Sequence, residues 1–332
     1  MQVLVVTDAW FPQVNGVVRT LHTVTQQLGA FGVGSVLLTP DRFRTLPCPT
    51  YPEIRLALPR PGAVGRLIEE TAPSAVHIAT EGPLGLSARA YCQRRGLPFT
   101  TSFHTRFPEY VHARWRLPVR WSYSFLRWFH APASCVMVTT PSIEADLRAY
   151  GFTRIKRWTR GVDTALFRPR DKSFLAFPRP ISLYVGRVAV EKSIEDFLRL
   201  DLPGTKVVVG DGPEASALRK RYPNAVFTGA KFGEELARHY AAADVFVFPS
   251  RTDTFGNVML EALASGVPVA AYPVPGPLDI IDGSGVGVLD EDLAGAASRA
   301  FAIPADACRR YAETFSWENS ARQFLGNIHV FR

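Results

Sequence analysis

The 332-residue sequence carries only four cysteines, at 48, 92, 135 and 308, with no close pair and no Cys-x-x-Cys. That spacing gives neither a disulfide framework nor a thiolate zinc site, and it suits a reducing compartment. Long uncharged apolar runs are missing too. The nearest, residues 262–278, is broken by glycines and prolines, so no membrane-spanning helix of about 18 apolar residues is expected. The opening MQVLVVTDAWFP lacks a basic n-region and meets Asp8 after a short apolar run. It reads as a first strand rather than a signal peptide, and the protein is expected in the cytoplasm. Neither an internal repeat nor a low-complexity tract is present, which excludes solenoids and tail-like segments.

What is present describes a soluble globular chain, 47% hydrophobic and 20% charged. Its length exceeds what one core usually serves, so two domains are expected. The charge of +8 is uneven: residues 1–165 hold 19 Lys+Arg against 10 Asp+Glu, while residues 166–332 hold 19 against 20. The first half, at +9, faces something anionic, with nucleic acid, an anionic membrane and acidic substrates as candidates.

Short β-branched runs alternate with amphipathic helical stretches throughout: VLVVTD, SVLLTP, AVHIAT, PFTTSF and CVMVTT in the first half, then ISLYVG, KVVVGD, AVFTG, DVFVFP and VPVAAY. Strands this continuously apolar are buried on both faces, so each half is expected to be a doubly wound parallel sheet. Residues 158–180, rich in proline and charge, read as a linker, and residues 316–332 as a last helix. Sites in such folds lie beyond the carboxyl ends of strands.

Residues 249–268, PSRTDTFGNVMLEALASGVP, follow one such strand and set Asp253 and Glu261 eight positions apart across a loop-to-helix junction. A helix over 257–265 would present free N–H groups near Phe255, Gly256 and Asn257 to a diphosphate. Glu261 could accept from ribose hydroxyls and Asp253 from a hexose; alternatively, both make ordinary surface contacts. Arg187 and Lys192, after ISLYV, could hold two phosphates without a metal, or be solvated charges. Gly16, between the first strand and a helix starting near Val17, allows close approach of a diphosphate or simply makes a turn. His104 in TTSFHT could bond a sugar hydroxyl or be structural, and Glu81 closes a neighbouring strand.

Residues 111–130, VHARWRLPVRWSYSFLRWFH, hold four arginines and three tryptophans and no acid. Arg114, Trp115, Arg116, Arg120, Trp121, Arg127 and Trp128 suit an anionic membrane interface; aromatic packing against a sheet is the alternative. No recognisable nucleic-acid-binding fold accompanies them, and no nucleic-acid partner is expected.

Taken together, NGVVRTL, TEGPLG, TSFHT, RGVDTALFRP, LYVGRVAVEKS, VVVGDGPE, FTG and PSRTDTFGNVMLEALASGVPV resemble the retaining nucleotide-sugar glycosyltransferases of the GT-B fold (group 1, family 4). The pattern is most similar to the sulfoquinovosyl- and glucosyl- or glucuronosyl-diacylglycerol synthases. The resemblance implies two Rossmann-like domains facing across a cleft: residues 1–165 for the acceptor, joined by the returning helix 316–332, and residues 166–315 for the donor. It further implies that Arg187 and Lys192 bind the donor diphosphate, Glu261 its ribose, and Asp253 with the amides at Phe255 and Gly256 the sugar, with Gly16 and His104 approaching from the N-terminal domain. The family's first carboxylate is usually glutamate, and Asp253 is one methylene shorter. The activity implied is metal-independent transfer of a hexose, with retention, from UDP-glucose or UDP-glucuronate to a lipid such as diacylglycerol. A peripheral position on the inner face of the cytoplasmic membrane goes with it, and no cofactor beyond the nucleotide sugar. A soluble or cell-surface glycan acceptor, a hydrolysing UDP-sugar epimerase and a silent sugar-nucleotide binding module are the alternatives.

Overall fold

β1 (Gln2–Val6) forms because QVLVV is apolar on both faces: Val3 to Val6 are each at most 1% exposed. The structure, a computed structural model, describes residues 1–332 except 14, 49–50, 110–115, 254 and 332, and the side chains of 51–53. After β1 comes α1 (Gly16–Ala30), whose N-cap Asn15 accepts from the amides of Val17 and Val18. Val18, Leu21, Val24 and Leu28 recur at helical spacing and are buried. Burying each such side chain stabilises by about 1.5–3 kcal/mol.

The chain divides into two compact units, Met1–Arg160 with Trp317–Arg332, and Gly161–Ser316. In the first, β2 (Gly34–Leu38) pairs beside β1; an antiparallel pair, β3 (Thr45–Cys48) and β4 (Tyr51–Ala57), and α2 (Ala63–Thr71) follow. Then come β5 (Ala75–Ile78), α3 (Pro83–Arg95), β6 (Thr100–Ser102), α4 (Val119–His130), β7 (Val136–Val138), α5 (Pro141–Ala149) and β8 (Ile155–Arg157). The parallel sheet runs β2-β1-β5-β6-β7-β8, so its order reverses between β1 and β5.

The second unit comprises β9 (Ile181–Val185), α6 (Ile194–Arg199), β10 (Thr205–Val209), α7 (Ala215–Arg221), β11 (Val226–Gly229), α8 (Gly233–Ala242), β12 (Val245–Phe248) and α9 (Asn257–Ala264). It continues through β13 (Val269–Ala271), α10 (Pro277–Ile281), β14 (Gly287–Leu289), α11 (Leu293–Ala300) and α12 (Ala305–Ala312). Its parallel sheet runs β11-β10-β9-β12-β13-β14, with the reversal between β9 and β12. Gly210 follows β10 so closely against the β9 loop that a Cβ there would lie 1.8 Å from the Gly186 carbonyl oxygen. Only glycine lets these two loops meet.

The last helix, α13 (Trp317–Asn327), belongs to the first unit, where Ala321 and Phe324 join the core of Val3, Val5, Leu21 and Val24. Residues 158–180, expected as a linker, hold the division between the two units, at Arg160 and Gly161, and are packed as well. Trp158 lies in the first core, while Val162, Phe167 and Leu175 lie in the second. Apolar side chains between the prolines and charges supply enough burial to fix the segment.

Candidate functional site

In the second unit the reversal between β9 and β12 leaves a crevice beyond two adjacent strand ends, where ligands bind in this architecture. The loop after β9 carries Arg187 and Lys192, and the loop after β12 carries Asp253, Phe255 and Gly256. The structure brings Lys192 and Asp253 together: Nζ lies 2.5 Å from Oδ1, with the side chains 23% and 18% exposed. Thr252 Oγ1 donates to the Glu191 carbonyl at 3.2 Å, tying the loops together, and Tyr184 Oη donates to the Arg187 carbonyl at 2.8 Å. Both tethers act on backbone, so the loop positions are fixed independently of the charges.

α9 starts from Gly256, whose φ of +80° suits glycine. Among the described residues no side chain caps this helix, and its first turn holds no acidic residue, so its N-terminus retains the positive end of the helix dipole. Asn257, half-buried, is the first helical residue, and Phe255 is buried in the core with Phe248 and Met259. Glu261, one turn in, is only 3% exposed and accepts a hydrogen bond from Tyr240 Oη at 3.0 Å. Its carboxylate is thus oriented by a buried phenol on α8, which excludes the reading of Glu261 as surface decoration.

In the first unit Gly16 is the exposed first residue of α1, but the two amides after it are engaged by Asn15 Oδ1, at 3.0 Å each. The corresponding amides of α3, Leu84 and Gly85, donate to the Asp8 carboxylate at 2.9 and 3.3 Å. Burial pushes the Asp8 carboxyl up, against the opposing pull of those amides and the Thr80 hydroxyl.

Three histidines that sequence spacing left unconnected come together at the ends of β5 and β6. His77 lies between Thr100 Oγ1 and Ser102 Oγ, both at 2.9 Å, and burial pushes it down to about 3, with Arg160 contributing. His130 reaches Thr101 Oγ1 at 2.8 Å and Glu81 Oε1 at 3.2 Å, which places Glu81 at the rim of this cluster. His104 Nδ1 is 2.8 Å from Arg160 Nη2, and burial first, then Arg160, holds it well below the usual histidine range. Asp8, Arg160, His77, His130 and Tyr240 escaped sequence reasoning. Only the position of Asp8 directly after a strand, and of Arg160 in WTRGVD, hinted at them.

α4 divides its aromatic residues. Tyr123, Leu126 and Phe129 are buried, whereas Trp121 is 61% and Trp128 52% exposed, with Phe125, Arg120 and Arg127 also outward. Packing in the core therefore accounts for only two of these five aromatic residues, Tyr123 and Phe129. The Arg89 guanidinium lies 3.9 Å from the Trp128 ring centre, and Arg116 is exposed; Arg114 and Trp115 lie outside the described residues. A cleft of about 300 Å3 beside α4 is lined by Arg120, Tyr123, Ser124, Arg127, Ala149, Tyr150 and Gly151. Among the described residues no helix is long and apolar enough to cross a membrane, and no group of three or more His, Cys, Asp and Glu is placed to hold a metal ion.

Comparison with known proteins agrees with the motifs. Residues 14–166 match the family model for Glycosyltransferase Family 4, and residues 179–303 that for Glycosyl transferases group 1. The chain is 31% identical to a GDP-mannose-dependent alpha-mannosyltransferase of Mycobacterium tuberculosis, over 87% of this chain and 83% of that protein. It is 35% identical to the sulfoquinovosyl transferase of Arabidopsis thaliana over 72% of this chain, which spans half of the plant protein. It is 27% identical to the alpha-monoglucosyldiacylglycerol synthase of Streptococcus pneumoniae over 100% of this chain and 85% of that one. Among solved structures, a sucrose-phosphate synthase of Thermosynechococcus elongatus superposes with a TM-score of 0.80 at 23% identity, covering 98% of this chain and 97% of that one. With two six-stranded parallel sheets and both family models in chain order, this chain belongs to the family 4 and group 1 glycosyltransferases of the GT-B fold.

Proposed function

We propose that this glycosyltransferase moves a hexose, with retention and without a metal ion, from UDP-glucose or UDP-glucuronate to a membrane lipid such as diacylglycerol. The observation that carries the donor half is the convergence of Lys192, Asp253 and the uncapped N-terminus of α9 at one topological switch point. There Arg187, Lys192 and the amides near Gly256 neutralise the departing diphosphate, Asp253 and Asn257 bond the sugar, and Glu261, oriented by Tyr240, receives the ribose hydroxyls. The acceptor oxygen bonds to the anomeric carbon as the bond from that carbon to the diphosphate oxygen breaks. The acceptor's proton passes to the leaving diphosphate on the same face. In the first unit Gly16, Glu81 and His104 serve substrate positioning, with His104 donating to a sugar hydroxyl.

The outward Trp121, Phe125 and Trp128 beside Arg120 and Arg127 support a lipid acceptor, since tryptophan suits the headgroup level and arginine anionic lipid. Peripheral attachment on the inner face of the cytoplasmic membrane follows from this reading. The streptococcal relative's name, which specifies diacylglycerol, points the same way. A second donor, GDP-mannose, is favoured by the mycobacterial relative's name.

The test is incubation of purified protein with UDP-glucose, UDP-glucuronate or GDP-mannose and vesicles containing diacylglycerol, with mass spectrometry of the lipids and NMR of the anomeric configuration. A glycolipid retaining the donor's configuration is expected. Consumption of UDP-N-acetylglucosamine without an acceptor would identify a hydrolysing epimerase, and indifference to vesicles a soluble glycan acceptor.

A further inference from the structure

We infer that Arg160 is a positioning residue that locks His104 as a neutral imidazole with its proton on Nε2, so that the ring meets substrate as a hydrogen-bond donor and never as a base. The state of the ring stands on geometry alone; its use on substrate rests on the glycosyl transfer proposed above.

A guanidinium has five N–H donors and no acceptor. With Arg160 Nη2 at 2.8 Å, His104 Nδ1 must accept, because a proton there would set two donors face to face. The single proton of the neutral ring is thereby assigned to Nε2. Arg160 is itself 5% exposed and pairs with no carboxylate among the described residues. Its remaining contacts are a hydrogen bond from Nη1 to the Trp158 carbonyl at 3.4 Å and stacking on the Trp158 ring, 4.4 Å from the centroid. Burial lowers the guanidinium to about 9, which still leaves it charged near neutrality.

The segment bearing Arg160 is fixed from the far end of the chain. Trp158 Nε1 donates to Ser320 Oγ at 3.1 Å, Ser320 Oγ donates to the Thr159 carbonyl at 2.7 Å, and Gln323 Oε1 accepts from the Thr159 amide at 2.9 Å. All of these partners sit on α13. The indole that carries Arg160 also packs edge-on against His104, with ring centres 5.7 Å apart. The imidazole is thus held both at Nδ1 and across its ring.

Among the described residues the charged and titratable groups around His104 are Arg160, His77 on β5 and His130 on α4, with Glu81 bonded to His130. Burial opposes protonation of the ring most, and the positive Arg160 beside it adds to that opposition. This inverts the arrangement in which a carboxylate accepts from Nδ1–H and makes Nε2 a base. A neutral imidazole that can only donate is suited to a sugar hydroxyl or to charge developing on oxygen.

The experiment uses full-length protein with 15N- and 13C-labelled histidine, as wild type, Arg160→Lys and Arg160→Met, with His104 signals assigned by their loss in His104→Gln. In wild type His104 is expected as the single Nε2–H tautomer, without titration between about pH 5 and 8. Arg160→Met should show both tautomers and a titration in that window, and Arg160→Lys, which keeps a cationic donor, should restore much of the wild-type spectrum. In parallel, Arg160→Met should lower kcat on the order of 10²-fold with donor KM nearly unchanged. An Nδ1–H tautomer or a titration near about 6.5 in wild type would overturn the inference. So would a His104 spectrum unaltered by Arg160→Met or, if that variant does not fold, by Arg160→Ala. The expected spectra from a protein that transfers no sugar would uphold the positioning role and reject the proposed function.

Discussion

Lys192 Nζ is bonded to Asp253 Oδ1 at 2.5 Å, across the two loops that flank the reversal point of the second sheet. Any diphosphate that takes Lys192 must compete with this carboxylate. Asp253→Ala is therefore expected to tighten UDP binding about three- to tenfold, by removing both the competitor and a like charge. Lys192→Ala should weaken the same binding about 10- to 100-fold, the usual effect of losing a charged hydrogen bond. Isothermal titration with UDP checks both. Weaker UDP binding by Asp253→Ala would refute the competition.

The same aspartate offers a second test, because a sugar distinguishes what a bare nucleotide cannot. Under the proposed roles Asp253→Glu extends the carboxylate by one methylene toward the hexose and leaves the diphosphate contacts in place. The ratio of kcat/KM between hexose donors should then shift about tenfold, while the UDP Kd stays within about twofold. A uniform loss across all donors would instead show that Asp253 acts through Lys192 alone.

The parallel strands most readable from sequence were those buried on both faces: ISLYV forms β9 with no residue above 8% exposure, AVHIAT and DVFVFP contain β5 and β12, and VLVVTD covers β1 from Val3 onward. β8 and β14 did not announce themselves. The first is the edge triplet IKR with two exposed residues, the second the half-buried GVL, and neither has an apolar run to mark it. The antiparallel pair β3 and β4 was also unread. At the site, residues on loops directly after strands were legible because position and chemistry coincide locally, as for Lys192 and Asp253. Arg160 was not, since its meaning lies in a contact 56 positions away, and Asp8 was not, since its amide partner Leu84 is 76 away. On α4 the sequence could not sort the aromatic residues, because Trp121, Tyr123, Phe125, Trp128 and Phe129 are alike in hydrophobicity and only packing decides which turn inward.

His77 makes stability depend on pH in a defined direction. Its folded value of about 3 lies below the unfolded value near 6.5, so between these pH values the unfolded chain binds more protons. The contribution is complete above about 6.5 and is lost progressively as pH falls toward 3, at up to about 1.4 kcal/mol per pH unit. His104, also held low, adds to the slope in the same direction. Urea unfolding at pH 7 and pH 5 should show the loss. His77→Gln, which gives up bonds to Thr100 and Ser102, should be less stable at pH 7 yet lose less on acidification. An unchanged slope would remove His77 from this role.

The outward face of α4 makes the lipid-acceptor reading measurable without any sugar. Arg120 and Arg127 are exposed beside Trp121 and Trp128. Each arginine at an anionic surface is worth about 1 kcal/mol, so the Arg120→Gln, Arg127→Gln double variant should bind phosphatidylglycerol vesicles about 30-fold more weakly, a deficit that shrinks as salt rises. Trp121→Ala should weaken binding at high salt too, because burial of its ring at the headgroup level does not depend on screening. Trp121 is the cleaner choice of tryptophan, since Trp128 also stacks with Arg89 and its loss would disturb that contact. Vesicle co-sedimentation at low and high salt separates the two contributions. Should both variants sediment like wild type at every salt concentration, α4 is not the membrane face, and the acceptor must be sought among soluble glycans.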